Sequence, residues 1–353
     1  MKVLDLFSGC GGFSYGFQEA GYDVVLGVDN EQIALDTFKH NHKNSEVFNL
    51  DLSVEENLQK IALFLDDKGG VDIIIAGPPC QGFSLTGSRN ENDKRNELFY
   101  AVFKISKLLK SKPKAIIIEN VTGLSTLYNG KAKKEIENSF DENSYIYNSE
   151  ILYAPNYGVP QIRKRLFFVG LDEKYGKFDF PKAILNKDSY VTCEDAISDL
   201  PTLEDNLGEN RVKYPSKALS KYQQRMRKNS KVIYNHISVN HTDIVKNVIA
   251  QVPEGGNHKD LPKGVGEHRK FNEAWTRYHS KKPSKTIDTG HGNHFHYKFN
   301  RVPTVRENAR LQSFPDNFIF LGTKTQQYRQ VGNAVPPLLG YHIANQLKEI
   351  LDR

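Results

Sequence analysis

A short apolar run that ends abruptly in Gly-Pro-Pro-Cys constrains the fold of this chain more than any other stretch. Residues 71–76, VDIIIA, are rich in β-branched side chains, which predicts a strand buried on both faces. Pro78 and Pro79 lack the N–H group that a strand ladder needs, so the strand has to end there. Cys80 therefore stands at the carboxyl end of a buried strand, which is where open α/β sheets bind their ligands.

A glycine-rich turn near the start of the sequence indicates a second ligand-binding feature. The apolar run 3–7 leads into DLFSGCGGFSYG, and a helical pattern follows. A strand, a glycine turn and a helix form the opening unit of a doubly wound α/β fold, in which glycines let the backbone approach a ligand at the start of a helix. The spacing is not a dinucleotide fingerprint, because Ser14 stands where the third glycine would fall.

Acidic residues follow the next two predicted strands. Strand 23–28 ends in Asp29, and strand 46–50 ends at Asp51. An acid after the second strand of such a fold is placed to accept hydrogen bonds from ribose hydroxyls. Asp29 is equally placed to cap the helix that follows. The turn and the two acids together predict a nucleoside pocket without deciding which adenosine cofactor fills it.

Positive charge is concentrated in the polar second half of the chain. The 353 residues are enough for two domains, and the formal net charge is +6. Residues 186–303 contain 20 Lys and Arg against 13 Asp and Glu, and their weak periodicity predicts a second, irregular domain. On charge alone, a nucleic-acid footprint and an ordinary solvated basic face are equally good interpretations.

The cysteines and the hydropathy point to a reducing cytosol. Cys10, Cys80 and Cys193 are odd in number and far apart, so a disulfide framework is not expected. No run of about 18 apolar residues and no signal-like apolar region is present, so we expect no membrane association.

A histidine cluster in the second half invites comparison with a metal site. His291, His294 and His296 are close in sequence, but no cysteine accompanies them and their spacing matches no closed zinc site. We therefore expect no metal, and the preferred interpretation is the lining of a polar groove.

Six motifs occur in the order in which the cytosine-5 DNA methyltransferases carry them. They are DLFSGCGG, GPPCQGFS, ENV, QIRKR, RENARLQSFPD and QVGNAVPP. The chain resembles this family, of the bacterial restriction-modification type, over most of its length. The resemblance implies an α/β, doubly wound, Rossmann-like S-adenosylmethionine methyltransferase domain formed by residues 1–185 and 325–353. It further implies a smaller, irregular target-recognition domain at 186–303 and a hinge at 304–324.

The chemistry that the resemblance implies explains why these residue types are needed. Cytosine C5 is a poor nucleophile, and a thiolate that adds to C6 converts the ring into an enamine that can attack a methyl sulfonium. Cys80 matches the thiol, and Glu119 of ENV matches the acid that hydrogen-bonds or protonates N3. Arg165 matches the cation on carbonyl O2, with Arg163 in support. Separately, alternating strand geometry points both arginines the same way, and a solvated strand end is an equally good interpretation of the pair. A stacked cytosine cannot be reached, so the base must be flipped out of the duplex.

Matching the motifs residue by residue also implies the binding contacts. The expected cofactor contacts are Phe7, Ser8, Gly9, Cys10, Gly11, Gly12, Asp29, Asn30, Asp51, Leu52, Pro79, Leu98, Asn333 and Val335. Asn30 stands where many family members carry an aromatic residue beside the adenine. The expected DNA contacts are Gln81, Ser84 and Arg95 in the loop after the cysteine, and Thr286 near the target phosphate. Base edges would be read by Arg, Lys, Asn and His side chains of residues 186–303.

The resemblance implies double-stranded DNA as partner and a monomer in the bacterial cytoplasm associated with the nucleoid. It leaves open whether a cognate restriction endonuclease exists as a further partner. An RNA cytosine-5 methyltransferase that acts on transfer RNA is an alternative of the same fold, although its Cys-Phe-Thr signature is not found here. A catalytically silent DNA-binding module is another, which the intact Cys80, Glu119 and Arg165 disfavour. A nicotinamide dehydrogenase is a weaker third, because the third glycine is missing.

Overall fold

The computed structural model describes residues 1–79, 98–265, 274–290 and 292–352. Cys80 and the expected DNA contacts Gln81, Ser84 and Arg95 lie outside the described residues, and so does His291. Among the described helices, none is both long enough and apolar enough to cross a membrane.

The chain divides into two compact units. The first comprises Met1–Tyr153, Lys164–Lys182 and Leu339–Arg353, and the second comprises Ala154–Arg163 and Ala183–Leu338. The boundaries differ from those expected from the sequence, because residues 154–163 and 304–338 belong to the second unit. The physical reason is a buried ion pair: Arg310, inside the stretch expected to be a hinge, pairs with Asp199. The functional assignment of the domains remains a prediction.

The first unit is built on a seven-stranded sheet. Its strands are β1 (Lys2–Leu6), β2 (Asp23–Asp29), β3 (Glu46–Asn49), β4 (Ile73–Ala76), β5 (Ala115–Val121), β6 (Tyr145–Tyr153) and β7 (Lys164–Asp172). The spatial order is β3-β2-β1-β4-β5-β7-β6. Strands β1 to β5 are parallel, whereas β7 runs antiparallel to both of its neighbours. The predicted doubly wound α/β architecture is confirmed, and the carboxyl ends of the parallel strands form one edge.

Helices cover both faces of this sheet. They are α1 (Gly12–Glu19), α2 (Gln32–Asn41), α3 (Glu55–Asp67), α4 (Tyr100–Leu108) and α5 (Lys131–Glu142). Alternation along β1 directs Leu4 and Leu6 into an apolar cluster with side chains of α3, α4 and α5. On the opposite face, Phe13 of α1 packs against Phe167 of β7, with ring centroids 6.0 Å apart. Each such buried side chain contributes roughly 1.5–3 kcal/mol, so the sheet edge is held on a rigid core.

The second unit has little regular structure. Its described elements include the helices α6 (Cys193–Ile197), α7 (Lys221–Arg227), α8 (Asp243–Gln251), α9 (Val305–Leu311) and α10 (Lys324–Asn333). The strands are pairs of two residues each: β8 (Arg211–Val212), β9 (Ile233–Tyr234), β10 (Thr276–Arg277) and β11 (His294–Phe295). The final helix, α11 (Pro337–Leu351), begins in the second unit and belongs mostly to the first. The irregular character expected of residues 186–303 matches these short elements.

Buried ion pairs replace part of an apolar core in the second unit. The guanidinium of Arg310 is fully buried, with Nε 2.6 Å from Asp316 Oδ1 and one terminal nitrogen 2.9 Å from Asp199 Oδ1. Arg301 donates two hydrogen bonds of 2.7 Å to the two carboxylate oxygens of Glu307. Glu307, Arg310 and Asp316, three residues of the motif RENARLQSFPD, thus have structural roles in the core of the second unit. Burial alone would raise the pKa of Asp316, but Arg310 outweighs it and the pKa is lowered.

We expect Arg310→Met to lower the free energy of unfolding at pH 7 by about 3–5 kcal/mol, because it leaves Asp199 and Asp316 buried without their shared cation. Urea denaturation followed by circular dichroism measures the loss. The pair stabilises above the unfolded pKa of an aspartate, about 4, and loses its effect as the pH falls through the lowered folded pKa. The difference in the free energy of unfolding between wild type and Arg310→Met should therefore become smaller towards pH 3. Arg225→Met, at an exposed position, is the control and should change stability by at most about 0.5 kcal/mol.

Candidate active site

Left-handed backbone in the glycine turn shapes the edge of the sheet after β1. Phe7, Gly9 and Gly11 have positive φ angles of 57°, 52° and 89°. Gly11 admits no side chain, because a Cβ there would lie 2.5 Å from the Nε2 atom of His42. The N–H of Ser8 donates to the carbonyl of Val28 at 3.0 Å, which ties the turn to β2. The turn is therefore a fixed backbone cradle.

The carboxylate of Asp29 joins the turn to the end of β2. Its Oδ2 accepts a 2.8 Å hydrogen bond from the N–H of Gly9, and its Oδ1 accepts one of 2.9 Å from the N–H of Glu31. The N-cap position of α2 is held by Glu31. The capping role that the sequence suggested for Asp29 is therefore not observed. Both carboxylate oxygens accept hydrogen bonds from backbone N–H groups. These bonds fix the orientation of the Asp29 carboxylate at the end of β2, where a ribose contact is predicted.

Asp5, which the sequence reasoning overlooked, lies beneath the turn. Its side chain is buried, and its Oδ2 accepts a 2.6 Å hydrogen bond from the hydroxyl of Ser14 in α1. Burial raises the pKa of Asp5 to about 8, so the group is largely protonated at neutral pH. The only sequence signal was its charge inside an otherwise apolar strand, which predicts a buried, hydrogen-bonded role.

The remaining expected cofactor residues of the first unit have varied surroundings. Asp51 is exposed, and hydrogen bonds from the backbone and hydroxyl of Ser53 lower its pKa. Leu52 is buried and Asn30 is exposed. Burial raises the pKa of the Cys10 thiol to about 12, so that thiol is neutral and suited to packing. Pro79 and Leu98 are half-buried, and they border the part of the chain that is not described.

The GPP and ENV motifs lie side by side because β4 and β5 are parallel neighbours. Ala76 pairs with Ile118, so Gly77 and Glu119 emerge together at the carboxyl edge of the sheet. A Cβ built on Gly77 would lie 3.6 Å from Glu119 Oε2. Asn120 is buried, and its amide donates to the carbonyl of Pro78 at 3.3 Å. The acid predicted for catalysis is thus fixed beside the turn that leads into Cys80.

Arg165 and Glu119 form an ion pair at the same edge. The Nε atom of Arg165 lies 2.8 Å from Glu119 Oε1, and the two side chains are only 15% and 12% exposed. The contact arises because β5 and β7 are antiparallel and Val121 pairs with Arg165. Sequence reasoning assigned separate roles to these two residues and did not foresee that they touch. A partly desolvated pair of this kind fixes both side chains in one orientation.

Arg163 has different partners from Arg165. Strand β7 begins at Lys164, so strand alternation does not extend to Arg163 and gives no ground for placing the two arginines on one face. The Arg163 side chain is buried, and one terminal nitrogen donates to the carbonyls of Gly332 and Ala334 at 2.9 and 3.1 Å. These two carbonyls belong to the QVGNAVPP motif, and the other terminal nitrogen of Arg163 donates to Gln161 Oε1 at 3.4 Å and to the carbonyl of Ile287 at 3.5 Å.

Two segments expected to bind ligands meet within the second unit. A Cβ on Gly332 would lie 2.3 Å from the carbonyl oxygen of Asp288, so only glycine allows the two backbones to approach. Buried Gln161 accepts a 3.1 Å hydrogen bond from the N–H of Ile287. The hydroxyl of Thr286 donates to the carbonyl of Ile162 at 2.5 Å. The segment with the predicted phosphate contact is thus locked to the residues around Arg163.

The glycine and the two prolines of the QVGNAVPP motif predict a loop, but the structure differs. Helix α10 continues to Asn333, and a capping box between Thr323 and Gln326 sets its start. Asn333 is exposed at the end of the helix, and Val335 just beyond it is 7% exposed. Both remain predicted cofactor contacts.

The two described histidines of the cluster, His294 and His296, are core residues. His294 and His296 are buried, so the expectation that they line a groove is wrong. Nδ1 of His296 accepts a 3.0 Å hydrogen bond from the N–H of Lys298, and burial lowers the pKa of His296 to about 3. Within the described ranges, no group of three or more His, Cys, Asp and Glu residues could hold a metal ion.

Comparison with known proteins identifies the class. The family model of the C-5 cytosine-specific DNA methylases matches residues 1–349, and the chain belongs to this family. It is 38% identical to the Type II methyltransferase M1.HphI of Haemophilus parahaemolyticus, covering 98% of this chain and 86% of the relative. It is 35% identical to the Type II methyltransferase M.DdeI of Desulfomicrobium norvegicum, over 98% and 88%.

Solved structures agree in fold. A candidate DNA modification methyltransferase encoded within a prophage (E. coli) superposes with a TM-score of 0.81 at 27% identity, covering all of both chains. The Dnmt2 methyltransferase of S. pombe gives 0.62 at 17% identity, again over both full chains, which shows the fold alone. The enzyme is thus a DNA cytosine-5 methyltransferase of the type found in restriction-modification systems, and its substrate is DNA.

Proposed function

We propose that the chain transfers a methyl group from S-adenosylmethionine to C5 of a cytosine within a specific short DNA sequence. The reaction runs through a covalent bond between Cys80 and C6 of a flipped-out base. The observation that carries the proposal is the ion pair of Glu119 and Arg165 beside the Gly-Pro-Pro turn. An acid and a cation at that position match the two groups that cytosine N3 and O2 need when a thiolate adds to the ring.

The glycine turn fits S-adenosylmethionine, which supplies an electrophilic methyl group when bound. The Oγ atom of Ser8 is buried and has no hydrogen-bond partner among the described residues, so a polar group of the cofactor would satisfy it. A Cβ on Gly9 would meet none of the described atoms within 4 Å, which leaves space in front of the turn. Asp29, held by two backbone amides, is suited to ribose hydroxyls. The other cofactor contacts expected from the motifs remain part of this proposal.

The residues of this chain divide the chemistry between them. Glu119 hydrogen-bonds or protonates N3, which relieves the charge that thiolate addition places on the ring. Arg165 binds O2 and, through its Nε contact, keeps Glu119 in place. Arg163 is better suited to positioning than to contact with the base, since one of its terminal nitrogens holds the carbonyls of Gly332 and Ala334 on either side of Asn333.

Target choice is proposed to reside in residues 186–303, with the catalytic and cofactor-binding role in residues 1–185 and 325–353. Arg, Lys, Asn and His side chains in the central segment suit base-edge readout in the major groove. Thr286 positions a phosphate without specifying sequence, and Gln81, Ser84 and Arg95 contact DNA near the flipped base. Exchange of residues 186–303 for the matching segment of a relative is the test of this division, because a chimera that keeps its original target would refute it.

Calorimetry and sequencing together test the proposed function. We expect S-adenosylhomocysteine to bind the purified chain and NAD not to bind. DNA from cells that express the chain should carry 5-methylcytosine in one short sequence context, detected by bisulfite or nanopore sequencing. Binding of NAD without S-adenosylhomocysteine, or the absence of 5-methylcytosine, would overturn the proposal.

A further inference from the structure

All of the excess positive charge of the chain lies in 21 consecutive residues. Residues 211–231 contain eight Lys and Arg and no Asp or Glu. They are Arg211, Lys213, Lys217, Lys221, Arg225, Arg227, Lys228 and Lys231. The whole chain has 48 Lys and Arg against 42 Asp and Glu, so the remainder is slightly acidic, with 40 against 42. The basic footprint is therefore far narrower than the segment 186–303.

The structure closes this stretch into an arm. Strands β8 and β9 pair antiparallel at its base, with Arg211 opposite Tyr234 and Val212 opposite Ile233, and helix α7 lies between them. We call residues 211–234 the basic arm. A short helix closed at its base by a ladder presents its side chains in a defined geometry.

The inner face of α7 is anchored to the buried ion pairs of the second unit. The hydroxyl of Tyr222 donates to the carbonyl of Arg310 at 2.5 Å. The amide of Gln223 donates to the hydroxyl of Ser198 at 2.9 Å. The carbonyl of Met226 accepts a 2.9 Å hydrogen bond from the N–H of Asp316. The helix is thus held by its inward positions, and its orientation is fixed before any ligand binds.

One of the basic residues belongs to this anchor. Arg227 is 3.0 Å from Asp199 Oδ2, and its guanidinium stacks over the ring of Tyr214 at 3.7 Å. Its charge is already compensated by the aspartate. Arg211 and Lys213, at the base of the arm, border an open groove that is also lined by acidic residues of 201–209. None of these three is a strong candidate for binding an external anion.

The outer face of α7 remains. Lys221 and Arg225 in α7 and Lys228, its C-cap residue with helical backbone angles, are exposed. They lie at positions i, i+4 and i+7, which places them in one row. The row is roughly 10 Å long at 1.5 Å per residue. Duplex DNA carries one negative charge per ~1.7 Å of its axis, so the row can face several phosphates at once.

We propose that the outer face of α7 binds the sugar–phosphate backbone of duplex DNA and adds affinity without reading sequence. The inference rests on the proposed function, because it assumes that DNA reaches the second unit. The long side chains give charge and reach but no bidentate fit to a base edge on an exposed helix face. Since the helix is anchored in advance, little backbone freedom is lost when it meets the phosphates.

The salt dependence of DNA binding tests this assignment. The variant Lys221→Gln/Arg225→Gln/Lys228→Gln is compared with wild type by fluorescence anisotropy, using a labelled duplex of about 30 base pairs and arbitrary sequence. The slope of log K against log salt should become shallower by about 2.7, at about 0.9 per lost phosphate contact. The control Lys43→Gln/Lys107→Gln/Lys110→Gln removes the same charge from exposed lysines of the first unit and should keep the wild-type slope.

Several outcomes would overturn the proposal. An unchanged slope in the triple variant would do so, and so would an equal change in the control, which would mean that only net charge matters. A change seen with double-stranded RNA but not with DNA would assign the face to another partner. If the thermal unfolding curve shows that the triple variant is misfolded, each single substitution should still reduce the slope by about 0.9, and three unchanged slopes would refute the inference.

The outcome is independent of methyl transfer. The anisotropy assay needs neither S-adenosylmethionine nor turnover, so a chain that fails to methylate can still show the loss of slope. Sequencing adds a second criterion: the triple variant should methylate the same sequence context as wild type, to a lower extent at a given salt concentration. A changed context would mean that the face reads bases, contrary to the proposal.

Discussion

Replacement of Cys80 by alanine is expected to abolish methyl transfer while leaving the fold and cofactor binding intact. Without the thiolate, the cytosine ring cannot be converted into the enamine that attacks the methyl group. Cys80 lies outside the described residues, so its assignment rests on the motif and on the Gly-Pro-Pro turn before it. The other two thiols cannot substitute for it, because both are buried and burial raises the pKa of Cys10 and of Cys193.

The covalent step can be observed directly. A duplex with 5-fluorocytosine at the target position cannot lose a proton from C5, so wild type should remain attached to it in denaturing gel electrophoresis. Cys193→Ala is the matched control and should form the same adduct and retain methylation. Cys80→Ala should bind the duplex without the covalent bond. Methylation by purified Cys80→Ala at any substantial rate would refute the covalent mechanism.

Glu119→Gln is expected to lower kcat by about 10²–10⁴-fold, the range for loss of a general acid or base. The amide preserves the shape of the side chain and its place beside Gly77, but it cannot donate the proton that N3 requires. DNA binding should persist, since the variant changes one group at the sheet edge. Steady-state kinetics with tritiated S-adenosylmethionine separates the fall in kcat from any change in KM.

The control for this variant is Glu150→Gln, which removes a carboxylate from an exposed position on β6 of the same sheet. It should keep the wild-type rate. A near-wild-type kcat for Glu119→Gln would remove that residue from the mechanism. Equal losses in both variants would indicate that net charge, and not the ion pair with Arg165, is responsible.

Local patterns predicted the parts of this fold that depend on local interactions. The parallel strands follow from β-branched runs that stop at glycine, acid or proline, and the observed ends of β1 to β4 lie within two residues of those predicted. Helix α9 also follows from a local signal, because Thr304 caps it and Glu307 completes the capping box. The placement of Glu119 beside Gly77 follows from parallel pairing of two such strands. These features can be predicted from the direction of the chain and from which residues are apolar enough to be buried.

Contacts between distant segments could not be predicted in the same way. Arg310 and Asp199 are 111 residues apart, and nothing near either residue reveals that the two pair in the core. Arg163 is separated from its carbonyl partner at Gly332 by 169 residues. For α10 a local signal was present and overlooked: Thr323 and Gln326 form a capping box, whereas the glycine and prolines that follow suggested a loop. Motif matching marks such residues as important without saying that their role is structural.

The closing helix α11 has a consequence for how the enzyme is made. It completes the first unit by packing on α1: a Cβ on Gly340 would lie 3.0 Å from the Phe13 ring, and the hydroxyl of Tyr22 donates to the carbonyl of Ala344. Those last two residues are 322 positions apart. At about 5–20 residues per second, a ribosome needs roughly 15–65 s to pass from one to the other. Throughout that interval the part of the α1 surface that α11 covers stays exposed, so this face of the nascent chain depends on chaperones or on speed of synthesis to avoid aggregation.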